Sequence, residues 1–308
     1  MAEAQAKAEV GSAQPAATGV AGTTGALEAL DELRAGGRVL SRYQRVVNLE
    51  SSGGRLLAVH TAAVPATPFS LILASALAEP WPPPGTPASR RGDELWVGAA
   101  RVDLADLREL ATKPNPALGA VPEAAWARAI LTPFVADSAF GLWWRDGPAP
   151  AGALAPALRD RVRRCVPALG AALAVAPLDV NLALAAAGLL VGAGPGGTPS
   201  GDDLLVGYLG AWLRLAPASD APGLLLAPLA RWTGSRTTRL AAEFYYHLAR
   251  GRLSAPLEAL VAALATARED QLRAAAAALA DYGATSGRDT IAGVHAFVGS
   301  PSSPRQVV

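Results

Sequence analysis

Two short stretches of the sequence carry serine, glycine and aspartate at the same spacing. The first, SGDDLLVG, begins at Ser200, and the second, SGRDTIAG, begins at Ser286, so both follow the pattern S-G-x-D-x-(L/I)-x-G. A serine with an aspartate three positions later is typical of a helix start, where the hydroxyl caps backbone N–H groups. We predict that two equivalent helix starts face one another across a ligand site. The alternative is that both serve only capping and helix packing.

The loop before the first start, GAGPGGTP, is the stronger indication of a ligand. Glycines let backbone N–H groups approach a ligand, and a helix N-terminus favours anions. Two adjacent aspartates place negative charge there, so the ligand is a neutral polar molecule, a cation, or an anion whose charge is met by arginines. The candidate catalytic residues are Ser200, Asp202, Asp203 and Asp289. The candidate binding residues are Gly194, Gly196, Gly197, Thr198, Gly201, Ser286, Gly287 and Arg288.

Further candidates follow from charge and polarity around these loops. Arg288 occupies the x of the second start, where Asp202 stands in the first, so opposite charges would meet if the starts face each other. Asp202 and Asp203 are also candidate ligands for magnesium, the one cofactor we consider. Thr237 and Asn48 are added as candidate substrate-binding residues. The alternative for Thr237 is that it only caps a helix, and the alternative for Asn48 is that it only occupies an edge strand.

Composition and charge narrow the class of protein. The 27 basic and 26 acidic residues leave a net charge of +1, which argues against nucleic acid or anionic membrane as a partner. Cys165 is the only cysteine, so neither an intrachain disulfide nor a cysteine-built metal site is expected. The three histidines lack ligand spacing, and the sequence has no nucleophile elbow, P-loop or zincin motif. We expect a cytoplasmic protein that binds a small molecule.

The periodicity of apolar residues predicts an α+β protein, with a small N-terminal β-rich unit followed by a large helical domain that carries both S-G-x-D starts. The chain is expected to be disordered to about residue 25, before a short helix. SSGG is predicted to be a hairpin turn, LWVGAARVDL a strand pair or bent strand, and PWPPPGTPASRRGD an exposed loop. The predicted boundaries are 1–35 for the tail and short helix, 36–112 for the β-rich unit, 113–150 for a linker and Trp-rich connection, 151–300 for the helical domain, and 301–308 for a tail.

The sequence resembles a bacterial family named for its AllH-like members. The resemblance depends on GAGPGGTPSGDDLLVGYLGAW, RTTRLAAEFYYHLARGRLSAPLEAL and YGATSGRDTIAGVHAFV in that order, with RVVNLESSGGRLLAVH and LWVG before them, over about residues 38–299. The family's motif residues fall here on Gly194, Gly196, Thr198, Pro199, Ser200, Gly201, Asp202, Asp203, Ser286, Gly287 and Asp289. Two positions depart from the family: Gly197, where a bulky apolar residue is usual, and Arg288, where an aromatic is common.

The resemblance implies a subunit of an oxamate carbamoyltransferase of anaerobic allantoin breakdown. That enzyme interconverts oxalurate plus phosphate with oxamate plus carbamoyl phosphate, with FdrA-like and further subunits as partners. We hypothesise a carbamoyltransferase-type subunit whose helix starts bind phosphate and the developing oxyanion. The alternatives are a non-catalytic small-ligand-binding or assembly subunit, and a magnesium-dependent hydrolase built on Asp202, Asp203 and Asp289.

Overall fold

The computed structural model describes residues 17–75, 80–110, 123–145, 155–216 and 220–300. The chain divides into two compact units. The first comprises the described residues up to Val64 together with Phe69–Leu110, and the second comprises Pro65–Pro68 and the described residues beyond Leu110. The first unit is mainly strand and the second, beyond Leu110, is helical. The predicted α+β class is confirmed.

The described residues of the first unit form a nine-stranded sheet that closes on itself, with one helix packed against it. Its order is β5-β4-β3-β2-β6-β7-β8-β1-β9, and β1 also pairs with β5. Alternate strand residues, one face of α1 that includes Leu30, and Leu33 directly after α1 form its apolar core. The elements are β1 (Ala17–Thr23), α1 (Thr24–Glu32), β2 (Gly37–Arg42), β3 (Val46–Ser51), β4 (Leu56–Thr61), β5 (Ser70–Leu73), β6 (Pro87–Arg91), β7 (Glu94–Val97), β8 (Ala100–Asp103) and β9 (Arg108–Leu110).

Both sequence-predicted strand pairs are present. β3 and β4 pair antiparallel across the SSGG turn. β7 and β8 pair antiparallel as well. Gly98 lies in the turn between β7 and β8 with φ of +60°, a conformation that L side chains rarely adopt. Turn chemistry was therefore a sound guide to pairing in this unit.

Two expectations about the first unit are wrong. Ala17–Thr23 forms strand β1 rather than disordered chain. Its small residues suffice because neighbours supply the apolar bulk: the Leu71 and Leu104 side chains pack against Gly19. Residues 1–16 lie outside the described residues. The proline-rich loop also contains strand β6, whose first residue is Pro87, a strand position where proline is tolerated.

The second unit packs its helices around α5 and α10, which are buried along most of their length. No described helix combines the length and apolar character needed to cross a membrane. The helices are α2 (Ala124–Ala136), α3 (Ala155–Ala174), α4 (Val180–Ala187), α5 (Ser200–Leu215), α6 (Ala221–Thr233), α7 (Arg239–Leu248), α8 (Ala255–Thr266), α9 (Glu269–Ala280) and α10 (Ser286–Val298).

The segment expected to be a linker and Trp-rich connection contributes to the helical core. α2 lies within it, and Leu131, Phe140 and Trp143 are buried in the same cluster as α5 and α10. Residues 113–122 and 146–150 lie outside the described residues. Because its aromatic and aliphatic side chains complete that core, the segment 123–145 belongs structurally to the helical unit.

Glycine permits the close contact between α5 and α10. A Cβ on Gly207 would lie 2.0 Å from the Thr290 carbonyl oxygen, and a Cβ on Gly293 would lie 1.9 Å from the Leu204 carbonyl oxygen. Each glycine thus faces the backbone of the other helix at the equivalent position of the repeated motif. The eighth residue of S-G-x-D-x-(L/I)-x-G is a packing residue in both copies.

We expect Gly207→Ala and Gly293→Ala each to reduce the free energy of unfolding by about 3 kcal/mol, because backbone must move to admit the methyl group. The melting temperature would fall by roughly 5 °C for a protein of this size. Gly223→Ala is the control, since a Cβ there meets no atom within 4 Å. That control should be neutral or stabilising by up to about 1 kcal/mol. Equal melting temperatures for all three variants would contradict the close helix contact.

Candidate functional site

The two S-G-x-D helix starts meet at the N-terminal ends of α5 and α10. The Ser286 and Thr198 hydroxyls hydrogen-bond the Asp203 carboxyl, while the Ser200 hydroxyl hydrogen-bonds the Asp289 carboxyl. The serine of each motif therefore hydrogen-bonds the aspartate of the other motif. We call Ser200, Asp203, Ser286 and Asp289 the crossed serine–aspartate cluster.

The serines do not cap their own helices, which corrects the capping prediction for Ser200. α5 begins at Ser200 itself, and the backbone N–H groups of Asp202 and Asp203 donate to the Pro199 carbonyl. α10 likewise begins at Ser286, with Thr285 at the N-cap position and no side-chain cap. Because backbone supplies the first-turn acceptor in α5, the Ser200 hydroxyl is left to bond across the helix interface.

The glycine-rich loop doubles back over the start of α5. Gly194 and Gly196 adopt φ of +120° and +98°, and the Gly201 N–H donates to the Ala193 carbonyl over 2.8 Å. A Cβ on Gly201 would lie 2.2 Å from the Leu190 carbonyl oxygen, and one on Gly287 would lie 1.7 Å from the Leu279 carbonyl oxygen. The first glycine of each motif is therefore required for close packing against the backbone that precedes the helix.

Hydrogen bonds also hold the glycine-rich loop against the starts of α10 and α7. The Thr198 and Ser286 hydroxyls lie 2.8 Å apart. The Thr238 hydroxyl donates to the Gly197 carbonyl while capping α7 by accepting from the Ala241 N–H. The first loop, the start of α10 and the start of α7 are consequently held together by hydrogen bonds. Gly196 remains exposed at the surface of this arrangement.

Asp202 is buried and accepts hydrogen bonds from three donors. The Thr237 hydroxyl lies 2.6 Å and the Gly192 N–H 3.0 Å from its Oδ2, and the Tyr245 hydroxyl lies 2.9 Å from its Oδ1. Burial raises the pKa of Asp202 to about 6, against the lowering effect of these donors. Sequence reasoning identified Thr237 but missed Tyr245, which is fully buried on α7 and reaches Asp202 only through tertiary packing.

Asp203 and Asp289 form a buried pair of carboxyl groups. Burial, followed by the negative charge of Asp289, raises the pKa of Asp203 well above its usual range. Burial also raises the pKa of Asp289 to about 6, although the Ala139 N–H donates to its Oδ1 over 2.8 Å. The Oδ2 atoms of both residues are buried and have no hydrogen-bond partner within the described part of the chain. These two oxygens are the chemically unsatisfied atoms of the cluster.

Arg288 and Asn48 do not behave as the sequence suggested. Arg288 donates to the Ala284 carbonyl, and its charge acts on Asp289 rather than on Asp202. Asn48 lies in the first unit on β3, an interior strand between β2 and β4, so it is not an edge-strand residue. Its amide donates to the Ser41 hydroxyl over 2.9 Å.

The donor set fits a metal ion poorly. Asp202 already accepts from a backbone N–H and two hydroxyls, which a cation would have to displace. Among the residues that the structure describes, no group of three or more histidine, cysteine, aspartate or glutamate side chains is arranged to hold a metal ion. The proposed magnesium ligands Asp202 and Asp203 therefore receive no geometric support.

Comparison with protein families gives two matches. The model described as oxamate carbamoyltransferase subunit AllH matches residues 190–298. The model described as the AllH family N-terminal domain matches residues 17–112. The chain belongs to the AllH family. No curated protein and no solved structure matches it. The first match contains the whole crossed serine–aspartate cluster and associates the chain with carbamoyltransferase.

Because the pKa of Asp289 is raised, we predict that Asp289→Asn changes the melting temperature by an amount that depends on pH. Because the pKa rises from about 3.9 in the unfolded chain to about 6 in the folded one, the folded state prefers the neutral carboxyl. The contribution of neutral Asp289 to the free energy of unfolding is complete below the pKa of Asp289 in the unfolded chain. It is lost as pH rises through the pKa of Asp289 in the folded protein. Asn mimics the neutral form, so the melting temperature of Asp289→Asn relative to wild type should increase between about pH 4 and pH 7.

Asp270→Asn is the control for this measurement. Asp270 is exposed, and a backbone hydrogen bond from Gln271 lowers its pKa, so its variant should show no such increase and any trend should have the opposite sign. If Asp289→Asn became less stable relative to wild type as pH rose, the Asp289 carboxylate would be stabilised in its ionised form and the burial argument would be wrong.

Proposed function

We propose that the crossed serine–aspartate cluster and its glycine-rich loop form the active site of a carbamoyltransferase-type subunit. The proposed substrates are a small carboxylate amide, of the oxamate or oxalurate kind, and carbamoyl phosphate. The observation that carries this proposal is the pair of buried oxygens, Asp203 Oδ2 and Asp289 Oδ2, that lack hydrogen-bond partners among the described residues. A native protein retains such costly atoms where a ligand or a proton transfer uses them.

The reaction to be supported is the exchange of oxalurate and phosphate with oxamate and carbamoyl phosphate. In the direction of carbamoyl phosphate formation, a phosphate oxygen bonds to the ureido carbon and the bond from that carbon to the oxamate nitrogen breaks. The proton of hydrogen phosphate passes to the departing nitrogen, so atoms and charge balance. The protein must therefore accept one proton, donate another and stabilise the oxyanion that develops at the ureido carbon.

The two aspartates are suited to these separate proton-transfer roles. Burial and the charge of Asp289 raise the pKa of Asp203 well above its usual range, which favours its neutral form, whereas Asp289, with a pKa of about 6, is mainly ionised at neutral pH. Unequal pKa values in a carboxyl pair assign one acid and one base. We assign proton donation to the leaving nitrogen to Asp203, and acceptance of the phosphate proton to Asp289.

The surrounding groups suit the anionic parts of the substrates. Exposed Gly196 and half-buried Thr198 lie in the loop that opens onto the α5 N-terminus, where the helix dipole favours negative charge. Arg288 is half-buried beside Asp289 and offers a planar guanidinium to a carboxylate or phosphate. Tyr245 and Thr237 donate hydrogen bonds to Asp202, which we assign as a positioning residue for the glycine-rich loop.

We further propose that the chain acts with FdrA-like and other enzyme subunits. The family description names a subunit, which implies partners in the same enzyme. A non-catalytic ligand-binding or assembly role is the second candidate, because the carboxyl groups are buried in this conformation. In that case the exposed glycine-rich loop would order a partner's active site and the crossed hydrogen bonds would only hold the helices together.

The test is reconstitution with the partner subunits, followed by measurement of carbamoyl phosphate formed from oxalurate and phosphate. Asp203→Asn removes a proton donor while preserving shape, so the rate should fall by a factor on the order of 100 or more. Circular dichroism must show that the variant remains folded. Calorimetric titration of the reconstituted enzyme with oxamate should still detect binding, since Asp203 is assigned to proton transfer.

Asp281→Asn is the matched control because Asp281 is an exposed aspartate at the C-terminal end of α9, five residues before α10 begins. It should leave the rate unchanged. A full rate in folded Asp203→Asn would reject the catalytic role and favour the assembly role. A reconstituted wild-type complex that neither binds oxamate nor forms carbamoyl phosphate would reject the carbamoyltransferase assignment itself.

A further inference from the structure

A cavity lies at the other end of α10, within the helical unit. Its volume is about 230 Å³, and its walls include Arg128, Trp143, Val166, Pro167, His295 and Ser300. This is smaller than the roughly 300–1,000 Å³ clefts that hold drug-sized ligands. None of the residues of the crossed serine–aspartate cluster lines it, so it is a separate feature of the molecule.

Two residues that line the cavity carry buried side-chain nitrogens without hydrogen-bond partners among the described residues. Trp143 Nε1 and His295 Nδ1 are buried and have no hydrogen-bond partner among the described residues. An indole nitrogen can only donate, so Trp143 presents an N–H with nothing to receive it. Leaving a buried donor unsatisfied costs roughly 1–3 kcal/mol. An acceptor bound in the cavity would remove that cost.

The neighbours of His295 fix which ring nitrogen carries the proton. The Arg128 Nε donates to His295 Nε2 over 3.4 Å, and arginine has no acceptor, so Nε2 is unprotonated and Nδ1 bears the hydrogen. Burial, followed by the charge of Arg128, lowers the pKa of His295 to about 3, so the ring is neutral. Stacking on Trp144, with centroids 4.2 Å apart, holds the ring in place.

Arg128 adds a positive charge that no carboxylate neutralises within the described residues. Its guanidinium carbon lies 5.5 Å from the Trp144 ring centroid, and its only hydrogen bond there goes to His295. The α10 C-terminus attracts cations, but the last-turn carbonyls of His295 and Phe297 accept from the backbone N–H groups of Gly299 and Ser300 instead. Capping of α10 therefore does not use the Arg128 donors.

We propose that this cavity is a second ligand site, which binds a small organic monocarboxylate. The carboxylate would accept hydrogen bonds from Arg128, Trp143 and His295, and its apolar part would lie against Val166 and Pro167. One guanidinium and two neutral N–H groups match a single negative charge with several lone pairs. The apolar walls disfavour inorganic phosphate. This inference does not depend on the proposed carbamoyltransferase activity.

Benzoate is a suitable probe, because it combines one carboxylate with a small apolar ring, and benzamide is its uncharged counterpart. The seven tryptophans give few indole N–H resonances in a nitrogen-15 spectrum, and Trp143→Phe identifies that of Trp143. We expect benzoate at millimolar concentration to shift the Trp143 indole resonance of the full-length protein. Benzamide at the same concentration should leave it in place.

Arg128→Gln should weaken benzoate binding at least tenfold in calorimetric titration. Arg273→Gln is the matched control, since it removes one positive charge from an exposed ion pair with Glu269 on α9. Trp143→Phe retains an aromatic ring but lacks the N–H, so it should weaken binding several-fold even if Arg128→Gln does not fold. Absence of a wild-type shift, equal binding of benzamide, or wild-type affinity in folded Arg128→Gln or Trp143→Phe would each overturn the proposal.

Discussion

The backbone contact between α5 and α10 is the constraint on which the candidate site depends. Gly207 lies against the Thr290 carbonyl and Gly293 against the Leu204 carbonyl, so the two helices approach more closely than any side chain at these positions would permit. The approach places the first turns side by side and allows a short serine side chain to reach the aspartate of the other helix. Packing thus determines the hydrogen bonding, and hydrogen bonding determines which carboxyl oxygens are left unsatisfied.

Burying three carboxyl groups near one another opposes folding at neutral pH. Asp202, Asp203 and Asp289 all have raised pKa values, and burial is the largest cause in each case. The hydroxyl donors Thr237, Tyr245, Thr198, Ser200 and Ser286 offset part of this cost. Helix packing alone would be served better by apolar side chains of similar size. The retained carboxyl groups are therefore better explained by chemistry than by stability.

The repeated motif allowed much of this site to be anticipated, because equal spacing of serine, aspartate and glycine on two helices implies equivalent geometry. The exchange of hydroxyls between helices was not predictable, since it depends on Pro199 supplying the first-turn acceptor in α5. Tyr245 was also missed, because only tertiary packing carries it to Asp202. In the first unit, local composition suggested disorder for β1, although Leu71 of β5 and Leu104, which follows β8, complete its packing.

Charge alone does not distinguish function from architecture at either end of α10. A carboxylate near the N-terminus, such as Asp289, and a cation near the C-terminus, such as Arg128, are both what the helix dipole prefers. The dipole does not account for buried polar atoms that lack a partner within the described chain, which are the Oδ2 atoms of Asp203 and Asp289 at one end and the Trp143 and His295 nitrogens at the other. At the N-terminal end these atoms are acceptors that belong to carboxyl groups with raised pKa values. At the C-terminal end they are donors close to an arginine. The two ends of α10 therefore support two different proposals: proton transfer at the first, and recognition of a carboxylate at the second.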